Sequence, residues 1–99
     1  MGRTGSADAG KFIRKTLVQF LDPEEYQMFI FGSRAIGKAG KFSDYDVGIL
    51  GKKSLPLHLL SLMKEAFEES DFPFRVDLVD FSLTSTKFRK IALVNVKEL

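Results

Sequence analysis

A chain of 99 residues has room for one small domain with a single core. Its 44% apolar and 28% charged residues are those of a folded globule, which excludes a disordered chain. No apolar run nears the roughly 20 residues that cross a bilayer, so no membrane role is expected. A net charge of +2 does not indicate a nucleic-acid surface, and the lack of cysteine excludes disulfides and thiolate metal sites, which points to the reducing cytoplasm.

Residues 1–7, rich in Gly, Ser and Ala, read as a flexible tail, leaving 8–99 as the single domain. Phe12, Ile13, Leu17, Phe20 and Leu21 fall near helical spacing, which predicts an amphipathic helix over 8–21, ended by Asp22-Pro23. The run Tyr26-Gln27-Met28-Phe29-Ile30-Phe31 fits a strand buried on both faces and stopped by Gly32-Ser33. A loop or short helix follows over 34–43. Residues 45–50 form a second strand. Ser54, with Pro56 in the first turn, opens a helix running to about Ser70, its inner face made by Leu59, Leu60, Met63, Ala66 and Phe67. Residues 74–81 make a third strand. A last helix starts near Thr84, with Phe88, Ile91 and Ala92 directed inward.

The order α-β-α-β-α-β-α places the chain in the α/β class (α+β in schemes that separate mixed sheets). The architecture is a small mixed three-stranded sheet flanked by helices. The second and third strands are expected to run parallel, because a whole helix joins them.

Two features in the middle of the chain carry chemistry. Asp44 and Asp46 lie two apart at the start of a strand, so both carboxylates point to one side. Like charges so placed repel unless a cation neutralises them, and oxygen-only ligands suit Mg²⁺ or Mn²⁺ rather than Zn²⁺. The second feature is the bend Gly32-Ser33-Arg34. Glycine lets a ligand approach the backbone, and the first amides of a turn, with the Ser33 hydroxyl, can cradle a phosphate. Arg34 either adds positive charge there or is solvated.

Each feature alone is common in turns. Together they place an anion cradle at the end of one strand and a metal-binding carboxylate pair at the start of the next, as nucleotide chemistry requires. Asp77 adds a third acid in an otherwise apolar strand, with Val76 and Leu78 on the opposite side. Asp80 falls on the other face from Asp77 and reads as a strand-end or capping residue. Lys38 and Lys41 sit in the spacer beside the proposed phosphates, and His58 is the sole histidine, expected to be exposed.

The stretch FGSRAIGKAGKFSDYDVGIL (31–50) resembles the signature of the DNA polymerase β-like nucleotidyltransferase superfamily. It is closer still to the small minimal nucleotidyltransferase (MNT) group, in the pattern G-S-R-A-x-G-x(5)-S-D-x-D. The strand FRVDLVDF (74–81) resembles that group's third motif. The resemblance implies the polymerase β-like nucleotidyltransferase fold. Gly32 and Ser33, with Arg34 beside them, would bind the NTP. Asp44, Asp46 and Asp77 would form the catalytic, metal-holding set for two Mg²⁺ ions (Mn²⁺ as the alternative), with Asp77 serving the nucleophile.

The implied activity is transfer of a nucleoside monophosphate, AMP from ATP foremost, to an acceptor hydroxyl. Members of the group are often paired with a small helical HEPN-type protein in toxin–antitoxin systems, and some neutralise that toxin by adding AMP to it. The alternative reading is a catalytically silent antitoxin that acts by binding its partner.

Overall fold

The structure, a computed structural model, describes residues 6–37, 40 and 43–99. Most of the expected tail, and Lys38 and Lys41, lie outside the described residues. In chain order the elements are α1 (Ser6–Leu17), β1 (Tyr26–Phe31), a 3₁₀ turn at Gly32–Arg34, β2 (Tyr45–Gly51), α2 (Leu57–Glu68) and β3 (Val76–Asp80). A second 3₁₀ turn at Phe81–Leu83, then α3 (Thr86–Ala92) and β4 (Lys97–Glu98), complete the chain. The sheet order is β3-β2-β1-β4. β2 runs parallel to β3 and antiparallel to β1, so the mixed sheet is as expected.

The sheet has four strands, not three. β4 pairs Glu98 with Phe29 and Lys97 with Ile30 across the outer edge of β1. It escapes sequence reading because two exposed charged residues carry no apolar alternation. What holds it is backbone pairing, extended by Leu99 N–H donating to Met28 O at 3.1 Å, and by Arg14 Nη1 donating to Leu99 O at 3.2 Å.

Helix ends also differ from expectation. α1 begins at Ser6 and stops at Leu17 rather than Leu21. Its apolar spacing continues because Phe20 and Leu21 reach the core from a tight turn, in which both N–H groups donate to Leu17 O at 2.9 Å. α2 begins at Leu57, and Ser54 does not cap it: Pro56 holds the N-cap position without a side-chain bond. The chain entering α2 is instead fixed by Asp80, whose Oδ2 accepts from Leu55 N–H at 2.7 Å. β3 starts two residues late, with Phe74 and Arg75 forming its lead-in.

Each strand divides its side chains between two layers. On one face Met28, Ile30, Val47, Ile49 and Leu78 pack with Ile13 and Leu17 of α1 and Met63 and Phe67 of α2 into the main core. On the other, Phe29, Phe31 and Phe81 form a small aromatic cluster, with ring centroids about 5 Å apart and near-perpendicular planes for Phe81 against each of the other two. Gly48 lies beneath that cluster, and a Cβ there would run into the Phe29 and Phe81 rings.

α3 covers the second face only in part. Ser85 caps it, its Oγ accepting from Phe88 N–H at 3.1 Å. Ala92 packs against the aromatic cluster, but Phe88 and Ile91, expected inside, are 42% and 67% exposed. A helix of seven residues, two turns, has too little length to bury a full apolar stripe. No helix of the described residues is long and apolar enough to cross a membrane.

Candidate active site

Backbone pairing, rather than loop placement, assembles the acids. In the sheet register Asp46 stands opposite Asp77 of β3 on one side and opposite Phe31 of β1 on the other. Residues in register on neighbouring strands share a face, so Asp46 and Asp77 both rise from the face away from α1 and α2. Tyr45 and Val47 turn into the core, as alternation requires. Asp44, two residues before Asp46, keeps the same parity and is exposed.

Electrostatics register the convergence. The Asp46 carboxyl is held above the ordinary aspartate range, first by partial burial and then by the negative charges of Asp77 and Asp44. Asp77 also lies 3.5 Å from Arg75 Nε, an exposed pair that contributes little to stability.

The Gly32 bend presses directly against this centre. Its φ of +74° belongs to the left-handed region, where a side chain is strained. A Cβ at Gly32 would also fall 2.5 Å from Asp46 Oδ2. Both facts demand glycine, and they set the bend within van der Waals range of the carboxylate. The 3₁₀ turn closes with Ala35 N–H donating to Gly32 O at 3.0 Å. The N–H groups of Ser33 and Arg34 therefore fall at its start, where no partner within the turn exists.

Arg34 is neither loosely solvated nor simply an outward charge. Its Nε and Nη2 donate to Ser43 O at 3.2 and 2.6 Å, one residue before Asp44. Its guanidinium also lies over the Tyr45 ring at 4.2 Å and over the Phe74 ring at 4.9 Å. One side chain thus ties the bend to the start of β2 and to the lead-in of β3. Asp80, on the opposite face, accepts from Ser82 N–H and Ser82 Oγ through Oδ1, and so is the capping residue expected.

The donor set fits a hard divalent cation. Every ligating atom would be a carboxylate oxygen, and Asp46 carries like-charge strain that a cation would relieve. Among the described residues no three acidic or histidine side chains approach one another as closely as metal ligands do.

Residues 13–98 match the family described as nucleotidyltransferase domain. The chain belongs to that family. Across 79 residues this nucleotidyltransferase is 48% identical to the probable protein adenylyltransferase MntA of Haemophilus influenzae, covering 80% of this chain and 68% of the relative. It also resembles a crystal structure of a toxin–antitoxin with AMP-PNP, at 25% identity and TM-score 0.66, over 90% of this chain and 70% of that one. The same fold recurs in a complex of tri-AMPylated Shewanella oneidensis HEPN toxin with MNT antitoxin, at 20% identity and TM-score 0.56, with 90% and 70% coverage.

The sequence anticipated that Asp46 and Asp77 rise from one face beside the Gly32 bend but not how Arg34 is used. Its partners lie 9, 11 and 40 positions further along the chain, at Ser43, Tyr45 and Phe74. The only signal in the sequence is that an aromatic residue stands close to an acid in both motifs.

Proposed function

We propose that this nucleotidyltransferase transfers AMP from ATP to a hydroxyl on a partner protein, in a Mg²⁺-dependent reaction, and that the partner is a small helical HEPN-type toxin. The observation that carries the reading is the position of Asp46, paired with Asp77 on one side and pressed by the Gly32 bend on the other. A phosphate chain held at the bend thereby lies beside the acids. The 48% identity to a probable protein adenylyltransferase supports AMP as the group moved, and the AMP-PNP complex of a structural neighbour supports ATP as its source. The HEPN toxin in another neighbour supports the partner.

In this reading the amides at Ser33 and Arg34 and the Ser33 hydroxyl bind the terminal phosphates of ATP. Asp44 and Asp46 would hold one Mg²⁺, and Asp46 with Asp77 a second. Bound there, the ions supply positive charge that stabilises the phosphoryl oxygens in the transition state. Asp77, at the outer side of the acid row, faces the acceptor and draws on its hydroxyl proton. The acceptor oxygen then bonds to the α-phosphorus, the bond to the bridging oxygen breaks, and pyrophosphate leaves. Arg34 acts on the nucleotide from behind, by fixing the bend and Asp44 relative to each other.

The test is incubation with labelled ATP, Mg²⁺ and a HEPN-type toxin. Label should pass to that protein and vanish with Asp44→Asn/Asp46→Asn. A non-labelling variant that still neutralises the partner would make the chain a silent, binding antitoxin instead.

A further inference from the structure

On the face that carries Asp46, one strand further from Asp77, lies an open cleft of about 340 Å³. Gly32 and Ile36 line it from the bend, Phe88 and Ile91 from α3, Phe31 from β1 and Asn95 from the segment after α3. Among the described residues no charged side chain lines it. Ile36, Phe88 and Ile91 are 48%, 42% and 67% exposed, a concentration of uncovered apolar surface beside the centre of proposed chemistry.

The chemistry of the lining narrows the occupant. The volume lies within the range of small-molecule sites, about 300–1,000 Å³. Uncharged apolar walls reject phosphate, whose desolvation nothing there would offset, and offer little to the hydroxyls of a sugar. They suit a flat heteroaromatic ring, for which the exposed part of the Phe88 ring provides a stacking surface. A single carboxamide, Asn95, offers one donor and one acceptor together, the pairing that matches the amino-and-ring-nitrogen edge of adenine. Gly32 belongs both to this cleft and to the bend beside Asp46, so a ligand anchored by phosphates at the bend has its other end within reach of the cleft.

Resting on the transferase reading above, we infer that this cleft is the nucleobase seat. Phe88 and Ile91 pack against the ring of an adenine nucleotide, and Asn95 reads its edge. The incomplete cover of α3, which leaves those two side chains in solvent, thereby becomes the means of nucleotide selection.

The test is equilibrium binding of ATP, GTP and inorganic tripolyphosphate, each with Mg²⁺, to the full chain and to Phe88→Ala, Ile91→Ser and Asn95→Ala. Ile91 is 67% exposed, so its replacement should cost little stability, which keeps the test sound if Phe88→Ala misfolds. ATP should weaken about tenfold with Phe88→Ala and several-fold with Ile91→Ser, with tripolyphosphate unchanged, and Asn95→Ala should narrow the preference for ATP over GTP. Unaltered ATP binding in all three variants overturns the inference, as does a parallel loss of tripolyphosphate. Loss of partner capture with ATP binding intact also overturns it, and makes the cleft a protein-docking surface. Failure of the unaltered chain to bind any of the three ligands contradicts the transferase reading itself.

Discussion

The two faces of the sheet are built for opposite ends. The face under α1 and α2 is closed by aliphatic side chains from five elements, among them Ile13, Leu17, Val47, Ile49 and Met63, all without exposure. The other face carries a smaller cluster of three phenylalanines with only partly buried aliphatics around it, and at the strand starts it carries Asp46 and Asp77 with the Gly32 bend. One face lowers the free energy of the fold, and the other holds charge that raises it. Stability and chemistry are therefore segregated by strand alternation: along β2 each buried aliphatic alternates with a residue of the site or of its aromatic support. Substitutions on the two faces should fail in different ways.

The largest expected effect belongs to the acid face. Asp46→Asn should lower AMP transfer at least about a hundredfold, the scale of removing one preorganised electrostatic group. Steady-state assays with the partner protein would measure it. Leu17→Ala, on the closed face, should instead cost about 2–5 kcal/mol of stability, a large part of what a chain this size possesses. Urea titration would show the midpoint fall, with activity per folded molecule preserved. An active-site effect from Leu17→Ala, or gross unfolding from Asp46→Asn, would break the comparison.

Gly32→Ala sharpens the boundary. Left-handed strain costs roughly 1–2 kcal/mol, and the collision with Asp46 adds displacement of a carboxylate of the proposed site. Loss of nucleotide binding should exceed anything the stability change explains, as comparing ATP titration with thermal melting would reveal. Arg34→Lys keeps the charge but not the fork that grips Ser43 O, at a cost of about 0.5–1.5 kcal/mol. The expected outcome is a lower kcat with KM for ATP little changed, because Asp44 loses its positioning while the amides proposed to hold the phosphates remain.

The smallest effect has an unusual sign. In metal-free protein the Asp46 carboxyl is raised above its unfolded value, so the folded state binds a proton more readily than the unfolded chain does. Ionised Asp46 therefore destabilises the fold at neutral pH, and acidification through its raised pKa relieves that cost. Asp46→Asn should melt slightly higher than the unaltered chain at pH 7 in chelator, the gain being small because solvent screens a half-open carboxylate. The difference should vanish as the pH falls. Thermal scans across pH would test both statements.

Much of this division is legible in the amino-acid sequence. The apolar run of β1, the alternation of β2 and the acid in β3 are enough to assign the faces, since alternation alone sends Asp46 and Asp77 away from Val47 and Leu78. Register is not legible, yet it decides that Asp46 meets Asp77 rather than Val76 or Leu78. β4 is invisible because backbone pairing, not side-chain pattern, holds Lys97 and Glu98. The exposure of Phe88 and Ile91 could not be read either: an apolar stripe at helical spacing looks the same whether a core or a ligand covers it. Asp80 shows the converse, since its capping role followed from parity, while its bond to Leu55 N–H, 25 residues away in the chain, did not.

Asp44, Asp46 and Asp77 are proposed to act together on a divalent cation beside the Gly32 bend. Mn²⁺ titration followed by electron paramagnetic resonance, with a non-hydrolysable ATP analogue present, tests it most directly. Binding to the unaltered chain should fall sharply in Asp46→Asn and in Asp77→Asn. Undiminished Mn²⁺ binding by Asp77→Asn would contradict it.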